Sequence, residues 1–213
     1  MYARAMAEQE GTIQFAYNLE PLDGPLPEFR ELHAWRKILF DLGLVGQQSD
    51  RYQGYGFGNM SVRHEDGFAI TASQTSGLET LEAEHLVNIA ACNLDRFWVE
   101  ARGSEPPSSE TVTHAMIYAA DKRTNWVFHV HSPDLWQRRE SLGLPSTGPD
   151  VPYGSQAMVS AVAELLATHQ SRPLLFATEG HEDGIFCLAG SARDCGGLLV
   201  TYFAKALSLQ DDK

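Results

Sequence analysis

The run Trp126-Val127-Phe128-His129-Val130-His131, closed by Ser132-Pro133, constrains this chain more than any other stretch. Aromatic and β-branched residues cluster before a proline that cannot continue a hydrogen-bonded ladder, so the run reads as a β-strand. Residues two apart on a strand point to the same face, which brings the imidazoles of His129 and His131 toward one point. Two convergent imidazoles suit a metal ion, but eight histidines in 213 residues produce about 0.3 such pairs by chance, so the pair needs support from elsewhere in the chain.

A strand needs partners, and the flanking segments supply them. Residues 59–63 and 68–71 flank His64-Glu65-Asp66-Gly67, whose Asp-Gly is a hairpin signal. Residues 86–91 and 96–100 make a second pair around the turn Asn93-Leu94-Asp95, and 174–177 and 184–189 a late pair. Between them lie helical periods. Phe29, Leu32, Trp35, Leu39 and Leu42 recur at three and four, predicting a helix over 28–44 with one apolar face and a charged opposite face. A helix begins at Ser108 and Ser109, one serine serving as N-cap, and runs through Ala120; others cover 155–168 and 194–209. Residues 12–20 alternate weakly, as an edge strand would, before the breaker-rich loop 21–27. The expected architecture is an α/β sheet protein covered by helices, a single domain over 1–213 with 1–27 as an N-terminal edge segment.

Charge and cysteine usage narrow the class of partner. Sixteen Lys and Arg against 28 Asp and Glu give a formal net charge of −12, which argues against a grip on nucleic acid or an anionic membrane. Cys92, Cys187 and Cys195 show no C-x-x-C spacing, and residues 1–10 do not develop the apolar stretch of a signal peptide. A cytoplasmic protein with core thiols is expected.

Three further segments carry possible chemistry. His181, in Gly180-His181-Glu182-Asp183-Gly184, sits where a loop could bring a third imidazole to the pair, with Glu182 or Asp183 as competing ligands. Three histidines with an open fourth position make a catalytic zinc arrangement. Pro106-Pro107-Ser108-Ser109-Glu110 offers hydroxyls and free N–H groups at a helix start, which favour an anion, with Glu110 an acid/base or a plain complement to the helix dipole. The loops 54–59 and 74–77 contain glycines and can present backbone donors. His33, His64, His85, His114 and His169 read as structural or surface residues, and no G-x-S-x-G elbow is present.

The order of these pieces is more specific than any one of them. Gly58-Asn59-Met60-Ser61-Val62-Arg63, Ile70-Thr71 leading to Thr75-Ser76-Gly77, Ser108-Ser109-Glu110-Thr111 with His114 and Tyr118, His129-Val130-His131-Ser132-Pro133, and His181 together resemble the class II aldolase/adducin family over roughly 29–207. The resemblance implies a central mixed, largely antiparallel sheet with helices on both faces, a three-layer αβα fold. It implies that His129, His131 and His181 bind a divalent metal, zinc or else manganese or cobalt, that Glu110 is the catalytic acid/base, and that Asn59, Ser76, Gly77, Ser108 and Ser109 surround a substrate phosphate. It further implies a homotetramer acting on a small-molecule substrate in carbohydrate metabolism.

The implied chemistry is C–C bond cleavage or formation through a metal-stabilised enediolate, with Glu110 moving protons and its pKa raised by burial against the pull of the metal. Dehydratases, epimerases and decarboxylases use the same constellation, and a non-catalytic adducin-like assembly module is the reading of another class. Three departures stand out. The Thr-Pro-Ser-Gly turn is replaced by Thr71-Ala72-Ser73-Gln74-Thr75-Ser76-Gly77 with no lysine after it. The connection from His131 to Val151-Pro152-Tyr153 carries Trp136, Arg138 and Arg139, expected to reshape the space over the metal; Tyr153 is an active-site candidate for which packing is the commoner role. The family's His-Gly is here His181-Glu182-Asp183-Gly184.

Overall fold

The computed structural model describes residues 11–24 and 26–209; the acidic start and Pro25 of the breaker run lie outside the described residues. The elements are β1 (Ala16–Glu20), α1 (Arg30–Asp41), β2 (Gly46–Gln47), β3 (Gly56–Phe57), β4 (Asn59–His64), β5 (Gly67–Thr71), β6 (Leu86–Asn93), β7 (Trp98–Arg102) and α2 (Thr111–Ala120). They continue with β8 (Trp126–His131), α3 (Pro133–Gln137), β9 (Ser146–Thr147), α4 (Gln156–Thr168), β10 (Leu174–Thr178), β11 (Gly184–Ala189) and α5 (Ala192–Ser208).

Among the described residues nine strands form one sheet in the order β1-β7-β6-β5-β4-β8-β11-β10-β9, while β2 and β3 make a separate ribbon. Only the outermost pairs, β1 with β7 and β9 with β10, are parallel; the interior ladders are antiparallel. The sheet is therefore mixed and largely antiparallel, as the resemblance implied.

Alternation along the strands divides the core in two. Val127, Phe176 and Phe186 pack on one face with Val112 and Ile117 of α2 and Met158 and Val162 of α4. Met60, Phe128 and Val130 pack on the other with Leu32 and Leu39 of α1, Leu135 of α3 and Leu199 of α5. Helices on both faces complete three layers, each fully buried Leu or Phe contributing about 1.5–3 kcal/mol. Caps fix where helices begin: the Ser155 hydroxyl accepts from Met158 N at α4, and Ser191 from Asp194 N at α5. Gly196 lets α5 close on α1, since a Cβ there would lie 2.2 Å from the Trp35 ring.

Two expectations are corrected. The charged face of α1 is incomplete, because Arg36 is buried beside Leu32 and Leu39. Its guanidinium donates to the carbonyls of Thr75, Ser76 and Glu79 in the loop after β5, adding to the Leu78 N–H that Thr75 already accepts. The cap of α2 is Glu110, not a serine, and no side chain bonds the first turn there. Ser108 instead accepts from Glu110 N at 3.4 Å, and its carbonyl takes the Thr111 hydroxyl, which leaves the Glu110 carboxylate free to point elsewhere.

The thiols behave as expected of core residues: Cys187 and Cys195 are buried, each S–H donating to the other's carbonyl, and Cys92 is half-buried. Among the described residues no helix is long and apolar enough to cross a membrane.

Candidate metal centre

Sheet register builds the centre. On β4 and β8, Asn59 stands opposite His129; on β8 and β11, His129 stands opposite Phe186 and His131 opposite Gly184. Gly58, at φ 80°, lets the chain enter β4 tightly, since a Cβ would meet Val45 at 2.9 Å and the His129 carbonyl at 3.1 Å. The rings of His129 and Phe186 stack at 4.2 Å. The Nδ1–H of His129 donates to the Ile185 carbonyl at 3.2 Å, which orients the ring and turns Nε2 toward the site. That Nε2 lies 3.1 Å from Nε2 of His131.

His181 closes the cluster from the turn between β10 and β11. The ligand atoms of His129, His131 and His181 all lie within 4.8 Å of one another. Tetrahedral zinc with nitrogen ligands wants separations of roughly 3.4 Å, so three imidazoles gathered this closely fit a divalent ion. Neither Glu182 nor Asp183 belongs to the cluster. Asp183 serves otherwise: its Oδ2 accepts the Tyr52 hydroxyl at 2.6 Å, and Arg51 donates to that hydroxyl at 2.7 Å. Tyr52 in turn sets its ring edge against His131 at 4.7 Å. Tyr52 (φ 46°) and Asp183 (φ 62°) both hold left-handed backbone, an unfavourable conformation that this bond helps maintain.

Glu110 stands at the start of α2 with its carboxylate between two of the three histidines. Oε2 is 2.8 Å from Nε2 of His129 and Oε1 3.4 Å from Nδ1 of His181. Asn59 Nδ2 donates to Oε2 at 2.9 Å. Glu110 is 2 % exposed. Burial pushes its pKa upward, but His129 and His181 outweigh burial and hold the carboxyl well below the usual carboxylate range. Burial raises the pKa as expected and is the largest single influence, but the two imidazoles together exceed it.

Behind Glu110, His114 bonds Ser61 Oγ at 2.7 Å, and Ser61 bonds the Tyr118 hydroxyl at 2.8 Å. Burial, partly offset by Glu110, lowers the His114 pKa to about 3, so the ring is neutral. Burial likewise raises that of Tyr118 well above its ordinary value.

Of the residues expected around a phosphate, Asn59, Ser76, Ser108 and Ser109 line one small pocket, whereas Gly77 packs against Gln47. Trp136, Arg138 and Arg139 do not crown the histidines. Trp136 packs against the α1/α5 side of the core and donates to the Thr178 carbonyl; the arginines pair with Asp134 and Glu179. Tyr153 stacks on His181 at 4.7 Å, so packing and the site coincide in it. Sequence reasoning missed Tyr52 and Phe186. Phe186 stands on a strand read from the sequence, but its place opposite His129 follows from the β8–β11 register, which the sequence does not state, and nothing in the local sequence marks Tyr52.

A buried carboxylate stands beside three convergent histidines that could hold a metal ion, on a mixed sheet layered by helices. Residues 48–137 match the Class II Aldolase and Adducin N-terminal domain family. L-fuculose-1-phosphate aldolase from Thermus thermophilus has a similar structure, with TM-score 0.63 and 21 % identity over 85 % of this chain and 91 % of that one. YgbL from Escherichia coli, for which aldolase, epimerase and decarboxylase are the candidate activities, matches with TM-score 0.62 and 20 % identity over 86 % and 90 %. The N-terminal class II aldolase domain of a conserved Thermoplasma acidophilum protein matches with TM-score 0.57 and 14 % identity over 92 % and 98 %. At these identities the likeness is one of fold. No functionally curated protein matches the chain in sequence.

Proposed function

We propose that this chain is a metal-dependent lyase of the class II aldolase type that cleaves or forms a C–C bond in a small hydroxy-carbonyl compound. The observation that carries the proposal is the Glu110 carboxylate held within 2.8 Å of His129 and 3.4 Å of His181. His129, His131 and His181 hold the ion, zinc before manganese or cobalt because three neutral imidazoles and an open position suit it. When bound, a divalent ion supplies Lewis-acid polarisation to substrate oxygens.

The chain's own residues do the rest. Glu110, ionised and buried, takes the proton from the hydroxyl whose oxygen becomes the carbonyl of the leaving fragment. The same carboxyl returns a proton to the carbon left with the electron pair. Asn59 fixes Oε2 of Glu110, and Tyr52 with Asp183 fixes the turn that carries His181. Ser108 and Ser109 hold the distal end of the substrate.

The proposal extends to a homotetramer in the cytoplasm, a single domain over 1–213 with 1–27 as an extension, and a place in carbohydrate metabolism; the family match and the free buried thiols Cys187 and Cys195 support these. Retention of the whole His–Glu constellation disfavours a bare assembly module. Epimerase, dehydratase or decarboxylase chemistry would use the same groups, which the candidate activities of the structurally similar YgbL favour as a second reading.

The test is a panel of hydroxy-carbonyl compounds with product analysis on wild type and Glu110→Gln. A carbonyl fragment from wild type and its loss in Glu110→Gln with metal content unchanged is the expected result. An unaffected rate in the variant removes Glu110 from its role; an inverted centre, lost water or carbon dioxide replaces lyase with the corresponding alternative.

A further inference from the structure

We propose that Ser61 is a positioning residue for Glu110: its bonds to His114 and Tyr118 set α2 at the register along β4 that holds the Glu110 carboxylate against Asn59 and His129. This deepens the lyase reading above and rests on it for its catalytic consequence.

Two rows of side chains meet rung by rung. Asn59, Ser61 and Arg63 are alternate residues of β4 and share a face, about 6.8 Å from one to the next. Glu110 at the start of α2, His114 and Tyr118 stand four apart on one side of the helix, about 6 Å from one to the next. The Asn59 amide donates to Glu110 at 2.9 Å. Ser61 Oγ lies 2.7 Å from Nδ1 of His114 and 2.8 Å from the Tyr118 hydroxyl. Arg63 donates to the carbonyls of Tyr118 and Asp121 at the far end. Moving either row along the other by one residue breaks these bonds.

The near end of α2 has little else to hold it. No side chain bonds its first turn. Val112, Ala115 and Ile117 bury an apolar side against the sheet, but apolar burial is non-directional and resists separation more than sliding. Arg63 grips the other end. The amides of Thr113 and His114 donate to the Glu110 carbonyl at 2.9 and 3.2 Å, so what fixes His114 fixes the Glu110 backbone one turn away.

The arrangement also costs stability. Ser61 is wholly buried and stands opposite Ile70 and Val127 in its two ladders. His114 is wholly buried too, and its Nε2 has no partner. Apolar side chains of similar shape would fill this layer with no unmatched polar atom. Directional bonds, which fix one geometry, are what the polar trio adds.

Crystal structures of full-length wild type, Ser61→Ala and Tyr118→Phe, each with and without zinc, measure the position. Kinetics on the compound cleaved in the panel above measure its consequence. Ser61→Ala is expected to move the Glu110 carboxylate beyond about 3.5 Å from the Asn59 amide, with the β4–β8 ladder unchanged. Its kcat is expected to fall about 10–100-fold, the effect of misplacing a reacting group by about an ångström, while KM stays within about twofold. Zinc content should not change. Tyr118→Phe keeps the ring and removes one of the two bonds, so it should shift Glu110 the same way by less, with a smaller loss of kcat. Glu110 unmoved in both variants, or a lower unfolding midpoint with kcat untouched, makes the trio a plain packing element and overturns the inference. If Ser61→Ala does not fold, Tyr118→Phe decides by the same distance. If no compound of the panel is turned over, the lyase reading fails, and the Asn59–Glu110 distance still judges the role of Ser61.

Discussion

Acid should destabilise this fold partly through His114, and the size of the effect can be worked out. The ring is fully buried, bonded through Nδ1 to Ser61, and its Nε2 has no partner. Protonation would add an Nε2–H with no acceptor and a charge with no solvent, which is why burial lowers its pKa to about 3 from 6.5. Between those values the unfolded chain binds a proton that the folded one refuses. The stabilisation is thus full above pH 6.5 and is lost as pH falls toward the folded value, with a slope of about 1.4 kcal/mol per pH unit. From neutral pH to about 4.5 the loss amounts to roughly 2–3 kcal/mol, a large part of a typical domain's 5–15 kcal/mol. Urea unfolding of chelator-treated wild type and His114→Asn across this range isolates the contribution. Asparagine keeps a partner for Ser61 and does not titrate, so the wild-type curve should fall more steeply by that amount. Parallel curves would refute the reasoning.

Tyr52→Phe removes the hydroxyl that Asp183 accepts at 2.6 Å; zinc affinity, measured by chelator competition, should fall roughly tenfold with the ligands intact. An unchanged affinity would free the His181 turn from this support. Arg36→Met leaves the carbonyls of Thr75, Ser76 and Glu79 without their shared donor, and should cost about 2–4 kcal/mol in urea unfolding. A loss under about 0.5 kcal/mol would mean that water replaces the guanidinium.

The parts of the fold legible in the sequence were those governed by local periodicity. The hairpin through Asp66-Gly67 appears as β4 and β5, the aromatic run at 126–131 as β8, and 184–189 as β11. The three helical periods through Leu32, Met158 and Leu199 became α1, α4 and α5 within a few residues. Pairing between distant segments was not legible: nothing in residues 59 or 129 states that β4 lies beside β8, yet that register sets Asn59 opposite His129. Arg36 was misplaced because periodicity reads a charge as solvent-facing, whereas the 75–79 loop needs its donors. The α2 cap failed for a related reason, since Ser108 and Ser109 are drawn into the pocket wall and Glu110 begins the helix. Tyr52 was invisible because its role depends on a left-handed turn and on Asp183, far along the chain.

The central claim is that three histidines hold a metal beside a proton-moving carboxylate. Elemental analysis of protein purified without added metal or chelator, beside folded His131→Ala, tests it most directly. About one zinc per chain, lost in the variant, is the predicted result. Folded protein that carries no metal and refuses added zinc, cobalt and manganese would contradict the account and leave a binding module in its place.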